Sequence, residues 1–168
     1  TIRTLSSRLT DAVRATIAAP LDGITVATEE VRPACYMRGG KSRTPGAPAP
    51  AATEIVRDFL ARLEARDLTA ARARLGEGFE MVFPSGKRMR DLETLVEWSR
   101  HRYDRVAKRF DGFDVAFSGD AEIVWCRGTL SGAWTDGTPF DDIRFCDRFE
   151  LKAGRITRQE VWNDLAEW

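Results

Sequence analysis

From Asp142 to Leu151 the chain reads D-I-R-F-C-D-R-F-E-L, with an apolar residue at almost every second position. Ile143, Phe145, Asp147, Phe149 and Leu151 share one side; Asp142, Arg144, Cys146, Arg148 and Glu150 share the other. Period two predicts a strand with one buried face. A carboxylate in the middle of such a face is costly unless it is paired or hydrogen-bonded. Asp147 is therefore the first candidate for pocket chemistry.

Upstream, the period changes to that of a helix. Thr53 is placed as an N-cap for a helix from Glu54 to about Arg66, with Val56, Phe59, Leu60 and Leu63 on one face. A second, shorter helix is expected from Asp67 to Leu75, stopped by Gly76 and Gly78. Phe79–Phe83 alternates as a strand, and Pro84-Ser85-Gly86-Lys87 forms a turn. A further helix is predicted from about Asp91 to Lys108, with Leu92, Leu95, Val96, Ser99, Tyr103 and Val106 inward. Four strands follow on short connections: Phe110–Phe117, Glu122–Trp134, Phe140–Leu151 and Arg155–Asn163. Helices gathered before an antiparallel meander predict an α+β fold with the helices covering one sheet face.

The N-terminal part is different in kind. Residues 1–37 form a leader in which Leu5, Leu9, Val13 and Ile17 repeat every four positions, as in an amphipathic helix stopped by Pro20. A short strand is expected at Ile24–Val26. Residues 38–52, rich in Gly, Pro and Ala, are expected to be an extended linker, and the main domain spans 53–168.

Composition narrows the function. The 168 residues are 43% hydrophobic and 31% charged with zero formal net charge, so the basic footprint of a nucleic-acid binder is missing. No apolar run approaches the ~18–20 residues that span a bilayer, and the cytoplasm is the expected compartment. Three widely spaced cysteines, Cys35, Cys126 and Cys146, make no C-x-x-C pair, and His101 is the single histidine. No metal site of the usual His/Cys type is expected.

The C-terminal pattern resembles the SnoaL-like, or nuclear transport factor 2-like, superfamily. The resemblance rests on E-I-V-R-D-F-L-A-R-L-E-A-R-D-L (Glu54–Leu68), F-P-S-G, the hairpin R-F-C-D-R-F-E-L-K-A-G-R-I (Arg144–Ile156) and V-W-N-D (Val161–Asp164). It covers residues 53–168 and implies a cone-shaped α+β barrel: a strongly curved, mostly antiparallel sheet wrapped around helices, with an apolar pocket inside. It also implies a small hydrophobic ligand and a homodimer through the outer sheet face, in a superfamily that holds enzymes beside members used only for binding or assembly; no cofactor and no membrane or nucleic-acid partner are expected. The implied reaction classes are lyase, isomerase and cyclase. Asp147 falls where ketosteroid isomerases carry an oxyanion-hole aspartic acid, while Phe83 and Phe59 stand in the places of that enzyme's base carboxylate and tyrosine. For the Asp-Arg-Asp set of limonene epoxide hydrolases, Asp164 and Arg127 are the matches, and Thr129 holds the third place.

The candidate catalytic residues are accordingly Asp147 as acid/base or oxyanion donor, with Tyr103 and Arg127 positioning it or polarising a carbonyl. Phe59, Phe83, Trp98, Trp125, Phe145, Phe149, Trp162 and Asp164 are the candidate substrate-binding residues. The competing view of Asp147 is a structural carboxylate held by Arg127, Tyr103 or a Trp nitrogen. His101 lies opposite the predicted apolar stripe and is expected in solvent. Asp141-Asp142, adjacent on a strand, is expected at the surface. The alternative function is a non-catalytic cone that binds a hydrophobic ligand or pairs with a partner subunit.

Overall fold

Strand alternation, broken at a few extra residues, builds most of this protein. Its structure, a computed structural model, describes residues 2–44, 46 and 49–167. The chain divides into two compact units, Thr1–Pro48 and Ala49–Trp168. In the first, α1 (Ile2–Ile17) ends three residues before Pro20, and its Leu5, Leu9, Val13 and Ile17 are exposed. Ile24–Val26 is not a strand. A small hairpin, β1 (Met37–Arg38) and β2 (Lys41–Ser42), occupies the start of the expected linker, because Gly39 and Gly40 at φ 60° and 73° supply a tight turn. Positions 45, 47 and 48 of that stretch lie outside the described residues.

The second unit runs α2 (Ala52–Glu64), α3 (Leu68–Arg72), β3 (Leu75–Val82), β4 (Arg88–Met89), α4 (Leu92–Arg100), β5 (Tyr103–Ser118), β6 (Ala121–Trp134), β7 (Pro139–Lys152) and β8 (Arg155–Asn163). The helix starts are chemically marked. Asp67 accepts from the Ala70 N–H at 3.1 Å, and Asp91 from the Thr94 N–H at 2.7 Å. At α2 the cap is Ala51 rather than Thr53, and Glu54 turns back to accept from the Ala51 N–H at 3.0 Å. Helix α2 buries Ile55, Val56, Phe59 and Leu60 and half-buries Leu63; of these, all but Ile55 form the face expected from its periodicity.

Six strands form one sheet in the order β4-β3-β8-β7-β6-β5, with every neighbour antiparallel except the parallel pair β3–β8. Register shifts interrupt β5–β6 between Phe110 and Gly112, β6–β7 between Leu130 and Gly132, and β7–β8 at Glu150 and Leu151. Each bulge bends the strand it belongs to, and together they curl the sheet around α2. Asp141-Asp142 sits in the second of these shifts; both residues are exposed, and Asp142 takes a φ of 59°. Gly76 and Gly78 lie inside β3 instead of ending a helix. The result is the α+β fold expected from the sequence, a curved, mostly antiparallel sheet with helices on its inner face. No helix among the described residues is long and apolar enough to cross a membrane.

The largest departure is at residues 101–108. Helix α4 stops at Arg100, and Tyr103 opens a 16-residue strand. From Arg105 onwards Val106, Lys108 and Phe110 turn inward while Arg105, Ala107 and Arg109 are exposed. The pairing of Lys108 with Leu130 and of Val106 with Gly132 fixes that register. Cross-strand hydrogen bonds to β6 outweigh the helical spacing of Ser99, Tyr103 and Val106.

Candidate active site

The curl of the sheet leaves a cavity of about 160 Å³ on its inner face. Most of its wall is apolar, with Leu60 and Leu63 from α2, Leu95 from α4, Phe83 after β3, and Val106 and Phe110 from β5. Against that background three polar side chains converge. Asp147, fully buried at the inward centre of β7, receives a hydrogen bond from Lys108 Nζ on Oδ2. Gln159 Nε2 donates to the same oxygen at 3.3 Å. Lys108 Nζ also stands 4.3 Å from the centre of the Phe145 ring, a cation–π contact that holds the ammonium over the cavity wall. Each of the three occupies an inward strand position that an apolar residue would otherwise fill.

Two oxygens of this group have no hydrogen-bond partner among the described residues: Asp147 Oδ1 and Gln159 Oε1. Buried acceptors of this kind are uncommon and call for an explanation. The carboxylate is thus hydrogen-bonded at one oxygen and buried without a partner at the other. Cys126, paired with Asp147 on the neighbouring strand, is a neutral filler: burial, with the Asp147 charge second, pushes its thiol up to about 12. Burial also raises the Tyr103 hydroxyl above its ordinary range, so Tyr103 faces the cavity as a proton-bearing donor. Among the described residues no three His, Cys, Asp or Glu side chains converge as metal ligands.

The remaining candidates separate into those at the cavity and those elsewhere. Phe83 and Phe145 line it. Trp98 stands one layer behind, 5.0 Å from the Phe83 ring and capped by Arg102. Phe59 and Phe149 belong to the solid core, meeting edge-on at 6.1 Å, and do not line the cavity. Arg127 is corrected outright. Cys126 and Gly128 face inward, so residue 127 faces outward, where its half-exposed guanidinium binds Asp114. Trp125 and Trp162 follow the same parity and stack on each other on the outer sheet face, rings 5.7 Å apart. Asp164, past the end of β8, accepts from Arg144 at 2.7 Å and is not a lining residue. His101 is exposed, beside Glu97 at 3.4 Å.

The partners of Asp147 are therefore Lys108 and Gln159, not Arg127, Tyr103 or a Trp nitrogen. Neither was singled out from the sequence. The signal for Lys108 was present: V-A-K-R-F places it between Val106 and Phe110 on alternate positions, the same pattern that marked Asp147.

Comparison with known proteins agrees with this architecture. The chain superimposes on a nuclear transport factor 2-like protein of unknown function from Burkholderia pseudomallei with a TM-score of 0.56 and 21% identity, over 69% of this chain and 92% of that one. A putative polyketide cyclase from Pseudomonas putida gives 0.53 and 19% identity, over 71% and 96%. TerC, co-crystallised with polyporic acid, gives 0.55 and 19% identity, over 69% and 93%. Such likenesses show the fold alone. No curated protein matches the sequence significantly. Residues 56–159, more than half the chain and all of the sheet up to Gln159, match the SnoaL-like domain, and the protein belongs to that family.

Proposed function

We propose that this SnoaL-like protein is a small-molecule enzyme that moves protons on an enolisable, largely apolar carbonyl compound, as an isomerase, lyase or cyclase working without a cofactor. The observation that carries the reading is the buried carboxylate paired with an ammonium group in the wall of a largely apolar cavity. Asp147, a lining residue of the cavity, takes the proton next to the substrate carbonyl. Charge then grows on the carbonyl oxygen, where the Lys108 ammonium and the Tyr103 hydroxyl are the donors at hand. In a dry cavity, fixed donors stabilise such charge far more than water does. Return of the proton to a different carbon gives isomerisation; expulsion of a leaving group or attack of the carbanion on a second carbonyl gives the lyase and cyclase outcomes.

A non-catalytic assembly cone calls for a filled or purely apolar interior, and the converging polar groups favour the enzyme. The test is deuterium uptake by cyclohexanone in heavy water, followed by NMR. Wild type is expected to exceed the buffer rate and Asp147→Asn to lose ~10²–10⁴-fold of the excess, the usual weight of a positioned proton-transfer group. Uptake at the buffer rate, or equal uptake by both proteins, removes the proposal.

We also propose that two copies pair through the outer sheet face. Trp125 and Trp162, 37% and 48% exposed, form an aromatic patch there, flanked by the ion-pair ladder Glu80–Arg158–Glu160–Arg148. An aromatic centre with a charged rim is the composition of a protein interface. Light scattering at micromolar concentration is expected to give twice the chain mass, and a single-chain mass in wild type would end the idea.

A further inference from the structure

The end of α2 carries an arginine where glycine is the usual residue. The Asp67 N–H donates to the Arg62 carbonyl at 2.9 Å and the Arg66 N–H to the Leu63 carbonyl at 3.1 Å, the paired bonds that close a helix on a left-handed residue. That residue is Arg66, at φ 60°. A side chain is strained in this conformation and glycine is not. Of the described non-glycine residues at positive φ, Arg66 alone lines the cavity. Its guanidinium makes no hydrogen bond or ion pair among the described residues, while the carboxylates nearest in sequence are taken: Asp58 and Asp67 bind Arg62, and Asp58 also binds Arg74.

A second cation stands close by. Arg102 lies over the Trp98 ring at 4.7 Å, and Trp98 backs the cavity residue Phe83. Burial raises the Tyr103 hydroxyl, and the charges of Arg102 and Arg66 both pull it back, so the two guanidiniums act on one point of the cavity wall. Glu64, the acid on the same wall, forms no ion pair with either among the described residues. All three are exposed. Deeper in, Lys108 and Asp147 cancel each other. The rim therefore holds two cations against one anion.

We propose that Arg66 and Arg102 hold a carboxylate carried by the substrate, whose ring occupies the cavity, and that Arg66 sets this preference. The cavity, about 160 Å³, is close to the ~150 Å³ that holds one benzene in another protein. Burying a carboxylate beside Asp147 would be costly, so the charged end stays at the rim. A net surplus of one positive charge suits a monoanion, and the planar fork of a guanidinium matches a carboxylate. This deepens the catalytic reading and rests on it, since it takes the same cavity as the substrate site.

Binding tests it without turnover. Titration calorimetry of the full chain compares 3-phenylpropionate with 3-phenylpropionamide, alike in shape and different in charge. The carboxylate is expected to bind ~3–10-fold more tightly at low ionic strength, the weight of one or two exposed ion pairs, and to lose that margin in ~1 M salt. Arg66→Gly suits the backbone better than the native residue, so it is expected to melt at or above wild type. It is also expected to bring the two ligands within about twofold of each other. Glu64→Gln, which removes the opposing charge, is expected to widen the margin.

Equal binding of the two ligands by wild type, or no measurable binding of either, would overturn the proposal. So would a margin that survives in Arg66→Gly, or an Arg66→Gly protein that melts well below wild type, which would make the side chain part of the fold. Deuterium uptake by cyclohexanone reads the catalysis separately. Uptake without a carboxylate margin removes this inference alone; a margin without uptake removes the catalysis and leaves a carboxylate-binding site.

Discussion

Replacing Lys108 with Met is expected to destabilise the domain by ~3–5 kcal/mol, read as a fall of roughly 10 °C in melting temperature. The side chain is 23% exposed and its partner Asp147 is 0% exposed, so the deletion strands a carboxylate in the apolar interior with one amide for company. The size of the effect comes from that stranded charge and not from any large net worth of the pair. The double variant Lys108→Met/Asp147→Leu separates the two contributions. Replacing both charges with apolar groups of similar volume removes the stranded charge, and the double variant is expected to recover most of the lost stability. Additive losses in the double variant would show that the two side chains are not coupled, and the site described here would lose its central contact. The stable double variant should also be inactive in deuterium exchange, which separates the chemistry from the fold.

What could be read beforehand depended on where parity survives. Between Ile143 and Leu151 no residue is inserted, so the alternation that marked Asp147 as inward is the alternation of the folded strand. Gln159 sits three residues after Ile156, yet both face in, because the shift at Glu150–Leu151 leaves Thr157 as an extra residue. A period-two reading started at Ile156 therefore loses Gln159. Lys108 was hidden for a different reason: Ser99, Tyr103 and Val106 happen to fall at helical spacing across the end of α4. The true break lies at His101 and Arg102, which have no proline or glycine to mark it. Arg127 was attractive because of its place in a related fold, and Trp125 as an aromatic able to wall a cavity. Parity along β6 puts both on the outer face, and parity reports the buried side of a strand more directly than a family correspondence. Phe59 was assigned to the right layer, but at the helix centre it packs on Phe79 and Phe149 and leaves the cavity to Leu60 and Leu63.

Gly128→Val is expected to be among the most damaging single changes in the domain, costing more than ~4 kcal/mol or preventing folding. A Cβ added at Gly128 would lie 1.9 Å from the Arg109 carbonyl oxygen and 2.9 Å from its carbon. Those are backbone atoms, and they cannot rotate away as a side-chain tip can. The crowding has a structural origin. Opposite Gly128 the β5 strand carries its extra residue between Phe110 and Gly112, and the bulge drives the β5 backbone toward β6. Gly132 repeats the arrangement near the start of β5, with an added Cβ 2.1 Å from the Arg105 oxygen. Between these two close approaches β5 presents Val106, Lys108 and Phe110 to the cavity, so the glycines that permit the bend also aim the lysine. Thr129→Val, one position away on the outer side, adds no Cβ, gives up the exposed hydrogen bond that Thr129 Oγ1 accepts from Arg109 Nε at 3.2 Å, and is expected to shift stability by less than about 1 kcal/mol. Urea unfolding of the two variants beside wild type makes the comparison. A Gly128→Val protein as stable as wild type would mean that β5 does not approach β6 as described, and the aim of Lys108 at Asp147 would lose its structural cause.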